Sequence, residues 1–99
     1  MSDDQTENGN VVRLEGRLDM PAAARLVENM AERRGASIVI DASDVEHLGG
    51  QCLQVLLAAA ACWRGDKAKI AYSDQSPAFT EALARFGMPI DALTVEGVN

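Results

Sequence analysis

The clearest pattern of hydrophobic positions lies in residues 37–65. A β-branched run, Ile38-Val39-Ile40, stops at Asp41, and after a polar turn the chain reaches Gly49-Gly50 and a segment with helical spacing. A buried strand that leads into a helix through a glycine-containing turn presents backbone groups and a helix N-terminus to a ligand or partner. We therefore expect the functional surface to include Gly49-Gly50, which we call the elbow.

The predicted helix after the elbow is uncharged over most of its length, since no Asp, Glu, Lys or Arg occurs between Leu48 and Arg64. One face carries Leu53, Leu56, Leu57 and Ala60, and the opposite side offers water only Gln51, Gln54, Ala58 and Cys62. A helix that is apolar nearly all round is either enclosed by its own protein or covered by another, and small domains enclose less of their surface. Two interpretations stay open, a helix packed under a sheet and a docking face.

The chain before this stretch predicts a strand, a bend and a helix. Residues 11–15 form the predicted strand, and Gly16 marks a bend or bulge after it. The helix is expected to begin at a cap on Asp19, with proline in its first turn, and to run to about residue 34, where Gly35 supplies a left-handed cap. Its inward face is expected to consist of Ala23, Leu26, Val27 and Met30.

The chain after it predicts a strand at residues 69–73, a third helix and a brief final strand around residues 93–95. Gly65-Asp66 closes the second helix, Ser76 caps the third, and Gly87 ends it. The inward residues of the third helix are Phe79, Ala82, Leu83 and Phe86. The order β-α-β-α-β-α-β with short connections favours one α/β domain with right-handed crossovers.

Composition agrees with a single domain and excludes several functions. We assign residues 1–10, which are polar and acidic, to a flexible arm with a turn at Asn8-Gly9, and residues 11–99 to the domain. A net charge of −6 gives no basic surface for nucleic acid or an anionic membrane. No segment has the roughly 18 uncharged apolar residues of a membrane span, and the acidic start is unlike a signal peptide, so we expect a cytoplasmic protein.

The side chains give little indication of catalytic or metal-binding chemistry. Asp41, Ser43, Asp44, Glu46, His47 and Cys52 lie within twelve positions, but Cys52 falls on an apolar helix where a small buried thiol is the default. We therefore expect no enzyme activity. One histidine and two distant thiols fit no metal-ligand spacing, and no nucleotide-binding fingerprint surrounds the elbow, so we expect neither a metal nor a cofactor. Two free cysteines suit a reducing compartment.

Three motifs together resemble the STAS domain, the fold of bacterial anti-sigma-factor antagonists. The central one is Ile38-Val39-Ile40-Asp41-x-Ser43-x-Val45-Glu46-x-Leu48, followed by the elbow and Leu53-x-Val55-Leu56-Leu57. Leu14-x-Gly16-x-Leu18-Asp19 matches before it, and Ser76-Pro77-Ala78-Phe79 with Leu83 and Phe86-Gly87-Met88 matches after it. The resemblance covers about residues 10–95. It implies an α/β, STAS-like domain with a four- to five-stranded mixed sheet and three to four helices.

The sequence departs from the family at the elbow. Phosphorylated antagonists carry Asp-Ser-Ser-Gly there, whereas this chain has Gly49-Gly50-Gln51-Cys52, with Gly50 in the place of the phosphorylated serine. Ser43 lies too early to replace that serine. The resemblance therefore implies a STAS domain that is not switched by phosphorylation at the usual site. Residues 48–57 are also similar to small STAS proteins that accompany bacterial chemotaxis kinases and lack the same serine.

We expect a protein-interaction module that docks through the elbow and the exposed side of the second helix. By resemblance, the partner is a chemotaxis histidine kinase or its phosphotransfer domain. A constitutive anti-sigma-factor antagonist and an accessory subunit of a lipid-transport ATPase are the alternatives, and a homodimer is left open. The predicted partner-binding residues are Asp44, Glu46, His47, Gly49, Gly50, Gln51, Gln54, Val55 and Ala58, with Cys62 beside them.

Overall fold

The computed structural model describes residues 10–97. The predicted N-terminal arm, with its turn at Asn8-Gly9, lies outside the described residues except for Asn10. The elements in chain order are β1 (Val11–Arg13), β2 (Arg17–Leu18), α1 (Met20–Ala31), β3 (Ile38–Ala42), β4 (His47–Leu48), α2 (Gly50–Asp66), β5 (Ile70–Gln75), α3 (Pro77–Arg85) and a 3-10 helix (Ile90–Leu93).

The strands form two parallel sheets, one in the order β1-β3-β5 and the other pairing β2 with β4. Val95 adds an antiparallel bridge to Ile70, where each N–H donates to the other residue's carbonyl at 3.0 Å. The α/β class expected from the sequence is confirmed. Residues of β3 alternate between buried and half-buried, with Ile38 and Ile40 facing the core, so the core lies on one face of the larger sheet.

The predicted strand at residues 11–15 is shorter than expected, and the structure adds two strands that the pattern did not indicate. The Gly16 carbonyl accepts hydrogen bonds from the N–H groups of Glu46 and His47 at 2.7 and 3.1 Å. This turns the chain away from the first sheet, so that β2 pairs with β4 instead. Two-residue strands are too short to produce a periodic sequence signal.

Helix α1 ends at Ala31 rather than near residue 34, and Gly35 takes its left-handed conformation, φ +88°, in the turn beyond. The buried residues are Ala22, Leu26 and Met30, which follow one another at intervals of four. Val27, expected on the inward face, is 50% exposed. That expectation was wrong because the apolar stripe of α1 is wider than the surface that covers it.

Helix α2 buries Cys52, Leu53, Leu56, Ala59, Ala60 and Trp63, and Leu57 is half-buried. The Trp63 indole N–H donates to the Ala36 carbonyl at 2.7 Å and ties the end of α2 to the loop after α1. The helix continues through Gly65, and the left-handed cap is Lys67, with φ 59°. The thiol of Cys52 is buried, as the sequence predicts.

Helix α3 begins as predicted, since the Ser76 hydroxyl accepts from the Phe79 N–H at 3.0 Å. The same hydroxyl donates to the Val45 carbonyl at 2.6 Å and so fixes α3 to the turn before β4. Gly87 ends the helix with φ +67°. Phe86, which the pattern placed inside, is 46% exposed, and this correction bears on the site described next.

Candidate functional site

The elbow is fixed against the end of β2. The Gly49 N–H donates to the Leu18 carbonyl at 2.9 Å, and the Gly49 carbonyl accepts from the Leu53 N–H at 3.1 Å in the first turn of α2. Gly49 is the N-cap, and no side chain caps the helix. Gly50 is the first residue of α2 and is exposed. The N-terminus of α2 is therefore presented at the surface by a backbone held through β2 and β4.

The two glycines of the elbow have different surroundings. A Cβ at Gly49 would lie 3.2 Å from the Leu18 carbonyl oxygen, a tighter approach than side chains normally make, and 3.6 Å from Nε2 of His47, an ordinary contact distance. A Cβ at Gly50 would meet only the Phe86 ring edge, at 3.9 Å. Gly49 is needed for close packing, whereas the surface at Gly50 is open to a partner.

Helices α1 and α2 lie side by side and run in the same direction. At their N-terminal ends the Cys52 thiol donates to the Asp19 carbonyl, with 3.4 Å between Sγ and oxygen. At their C-terminal ends Arg34 forms a two-pronged ion pair with Asp66, at 2.8 and 3.1 Å. Hydrogen bonding to Asp66 raises the pKa of Arg34, and the same contact lowers the pKa of Asp66, so both groups stay charged over a wide pH range.

A groove of about 430 Å³ lies between the two helices, and we call it the α1–α2 groove. Arg34, whose charge is balanced by Asp66, is the one charged residue among those that line it. The groove is lined by Val27, Met30, Ala31, Arg34, Gln51, Gln54, Val55, Ala58, Ala59, Cys62 and Trp63. Five residues selected from the sequence therefore come together here, namely Gln51, Gln54, Val55, Ala58 and Cys62.

The other predicted residues lie at the elbow end and do not line the groove. Asp44, Glu46 and His47 are exposed, while Val45 between them is buried. Within residues 10–97, neither Asp44 nor Glu46 takes part in an ion pair, whereas Asp19 lies 3.7 Å from Arg17. Asp44 and Glu46 thus form a rim of unpaired negative charge at the end of the domain where α2 begins.

The contribution of α1 was missed by the sequence analysis. Val27 and Ala31, four residues apart, lie on one stripe of α1 facing α2, and Arg34 follows in the turn after the helix. That stripe lies beside the buried one, and the sequence analysis assigned its residue Val27 to the core. The width of the apolar face was the one signal in the sequence that a second surface existed.

Three large apolar side chains remain exposed in the described part of the chain, and two of them lie at the groove or at the elbow. They are Met20, Val27 and Phe86, at 67%, 50% and 46% exposed. Met20 begins α1 directly after Asp19, Val27 lines the groove, and the Phe86 ring lies next to Gly50. An exposed apolar patch with a polar rim is typical of a protein-docking surface.

Among the described residues, the site offers a thiol of raised pKa and no metal-binding cluster. Burial raises the pKa of the Cys52 thiol, and the nearby Asp19 carboxylate adds to the effect, so the thiol is protonated at neutral pH and is a poor nucleophile. Residues 10–97 contain no cluster of three His, Cys, Asp or Glu side chains positioned to hold a metal ion. None of the helices described is both long and apolar enough to cross a membrane.

Comparison with protein families agrees with the motifs and the fold. The family model described as "Mlab, STAS domain" matches residues 1–94. Because the match extends over nearly all of the 99 residues, the chain belongs to this STAS family. No curated protein and no solved structure matches the chain.

Proposed function

We propose that this STAS domain is a non-enzymatic interaction module that binds a regulatory partner through the elbow and the α1–α2 groove. The observation that carries the proposal is the apolar α1–α2 groove, in which Val27 is half-exposed and the one charged lining residue, Arg34, is balanced by Asp66. The neutral surface of α2 from Gln51 to Cys62 can be removed from water without burying an unpaired charge. Gly50 allows the partner backbone to approach closely.

The absence of the phosphoacceptor supports a constitutive mode of binding. Gly50 occupies the serine position, so a phosphate cannot be attached there to repel a partner. Affinity is then set by groove packing and by the charges of the rim. The amount of complex then depends on the concentration of the partner and not on phosphorylation of this domain.

The partner we propose is a signalling kinase, of the chemotaxis histidine kinase class, or its phosphotransfer domain. This choice is supported by the likeness of residues 48–57 to STAS proteins that accompany such kinases. Membership of the STAS family is compatible with two other partners, an anti-sigma-factor kinase and the ATPase of a lipid transporter. The experiment below treats them as separate outcomes.

Affinity capture of the tagged chain from its native cells, followed by mass spectrometry, tests the proposal. Two variants place a charge in the surface, Ala58→Glu in the groove and Gly50→Arg at the elbow. Both positions are exposed, so the fold is retained. Ala84→Glu, the same change at an exposed position of α3, is the matched control.

We expect a chemotaxis kinase to be captured by the wild type and by Ala84→Glu and to be lost with both surface variants. Burying an unpaired carboxylate at an interface lowers affinity by roughly 10-fold or more. Capture of an anti-sigma-factor kinase or a transport ATPase with the same variant dependence would support the interaction module and assign it to a different pathway. Unchanged capture by both folded surface variants would eliminate this surface as the docking site.

A further inference from the structure

We propose that the occupant of the α1–α2 groove is an amphipathic helix of the partner, lying antiparallel to α1 and α2, with its basic C-terminal end beside Asp44 and Glu46. This rests on the proposed function and specifies the partner segment and its direction.

The walls of the groove select a helix over an extended peptide. An added strand gains affinity from main-chain hydrogen bonds to a free sheet edge. Both walls here are helices, whose backbone groups are bonded within α1 and α2. A helical occupant satisfies its own backbone and contributes side chains alone, and these fit an apolar floor made by Met30, Ala59 and Trp63. From Gln51 to Cys62 the wall is about 16 Å long, which matches three turns of a helix.

The direction of the occupant follows first from the backbone dipoles. Since α1 and α2 are parallel, their N-terminal ends both lie at the elbow and their C-terminal ends both lie at Arg34 and Asp66. Each helix carries partial positive charge at its N-terminus and partial negative charge at its C-terminus. A third helix packed between them is favoured electrostatically when it runs in the opposite direction.

Side-chain charges at the two ends of the groove give the same direction. At the elbow end, Asp44 and Glu46 are exposed and unpaired within the described part of the chain. At the far end, Arg64 and Lys67 are exposed and the Arg34 charge is balanced by Asp66. Lysine or arginine at the C-terminus of the occupant stabilises that helix and also faces the acidic rim.

Two synthetic peptides of about 18 residues, or five turns, provide the test. Both carry the same Leu/Ala stripe and the same composition, with three lysines in the last turn of one and in the first turn of the other. Binding to the full chain is followed by fluorescence anisotropy of a dye on each peptide. We expect the peptide with C-terminal lysines to bind roughly 5- to 10-fold more tightly, because each exposed ion pair contributes modestly. The difference should shrink at about 1 M salt.

Variants of the protein separate groove binding from charge attraction. Ala58→Glu should abolish binding of both peptides, and Ala84→Glu should leave it unchanged. The double variant Asp44→Lys/Glu46→Lys should remove or reverse the preference between the peptides without changing the fold, since both side chains are exposed.

Cys62 reports the direction independently, because it is an exposed thiol in the groove whereas Cys52 is buried. A bromoacetyl group at the N-terminus of the C-terminal-lysine peptide should alkylate Cys62 faster than the same group at its C-terminus.

Equal affinities, the reverse preference, binding of neither peptide, or binding that survives Ala58→Glu would each overturn the proposal. If cellular capture still depended on Ala58 in that case, the groove would remain the docking site, and the proposal of an antiparallel helical occupant would be rejected.

Discussion

The Gly49 N–H donates to the Leu18 carbonyl at 2.9 Å, and a Cβ at Gly49 would lie 3.2 Å from that same oxygen. The hydrogen bond and the crowding involve backbone on both sides, so neither can relax without shifting the pair of strands β2 and β4. Gly49→Ala should therefore lower the free energy of unfolding by about 1 kcal/mol or more, measured by urea denaturation.

Gly50→Ala is the matched control, since its Cβ would meet nothing closer than 3.9 Å. Alanine in the first turn of a helix restricts the unfolded chain, and we expect stability to be unchanged or raised by about 0.4–1 kcal/mol. Equal destabilisation by the two substitutions would show that the close approach of Gly49 to Leu18 does not control stability.

Val27 should contribute to partner binding and little to stability. It is 50% exposed and lines the groove. Val27→Glu is expected to change the free energy of unfolding by less than about 0.5 kcal/mol and to weaken partner binding roughly 10-fold. Glu28→Ala, on the side of α1 away from the groove, should leave binding unchanged. Loss of folding in Val27→Glu would show that Val27 belongs to the core, as the sequence pattern predicted.

Asp41 should make stability depend on pH at the acidic end. Hydrogen bonds from the Ser43 side chain and N–H, the N–H at 2.9 Å, hold the pKa of Asp41 below its usual value. A carboxyl whose pKa is lowered on folding stabilises the protein above its unfolded pKa of about 3.9, and this contribution is lost as pH falls through the lower, folded pKa.

Ser43→Ala removes the side-chain contribution and keeps the N–H. The pKa of Asp41, measured by NMR titration of its carboxyl carbon, should rise toward the ordinary value. The part of the stability that is lost as pH falls below about 4 should become smaller. An Asp41 pKa that does not move in Ser43→Ala would assign the shift to the backbone and to Arg13, 3.6 Å away.

The two cysteines should differ in reactivity in the native protein. Cys62 is exposed, whereas Cys52 is buried and burial raises the pKa of its thiol. With a maleimide at neutral pH, mass spectrometry should find one label per native chain, at Cys62, and a second after unfolding. An occupant of the groove should slow labelling of Cys62. Rapid native labelling at Cys52 would contradict the packing of α2 against the Asp19 carbonyl.

Much of the fold was predictable because it depends on short-range chemistry. Apolar spacing located the three helices, serine at position 76 supplied the cap of α3, and the thiol of Cys52 was expected inside. The bounds were less accurate. Helix α1 ended at Ala31 rather than at a glycine cap near residue 34, and at the end of α2 the left-handed position was taken by Lys67.

By itself the sequence determined the α/β class, the elbow and the uncharged outer face of α2, since each follows from which residues are neighbours along the chain. Only the tertiary structure decided that this face meets α1 in a groove and that Val27 and Phe86 belong to the surface. An apolar stripe shows which side chains can be buried, but how much of it is covered depends on elements that are distant in sequence. Helix α1 and helix α2 are brought together by parallel strands and by the Arg34–Asp66 pair, and no local pattern encodes their distance.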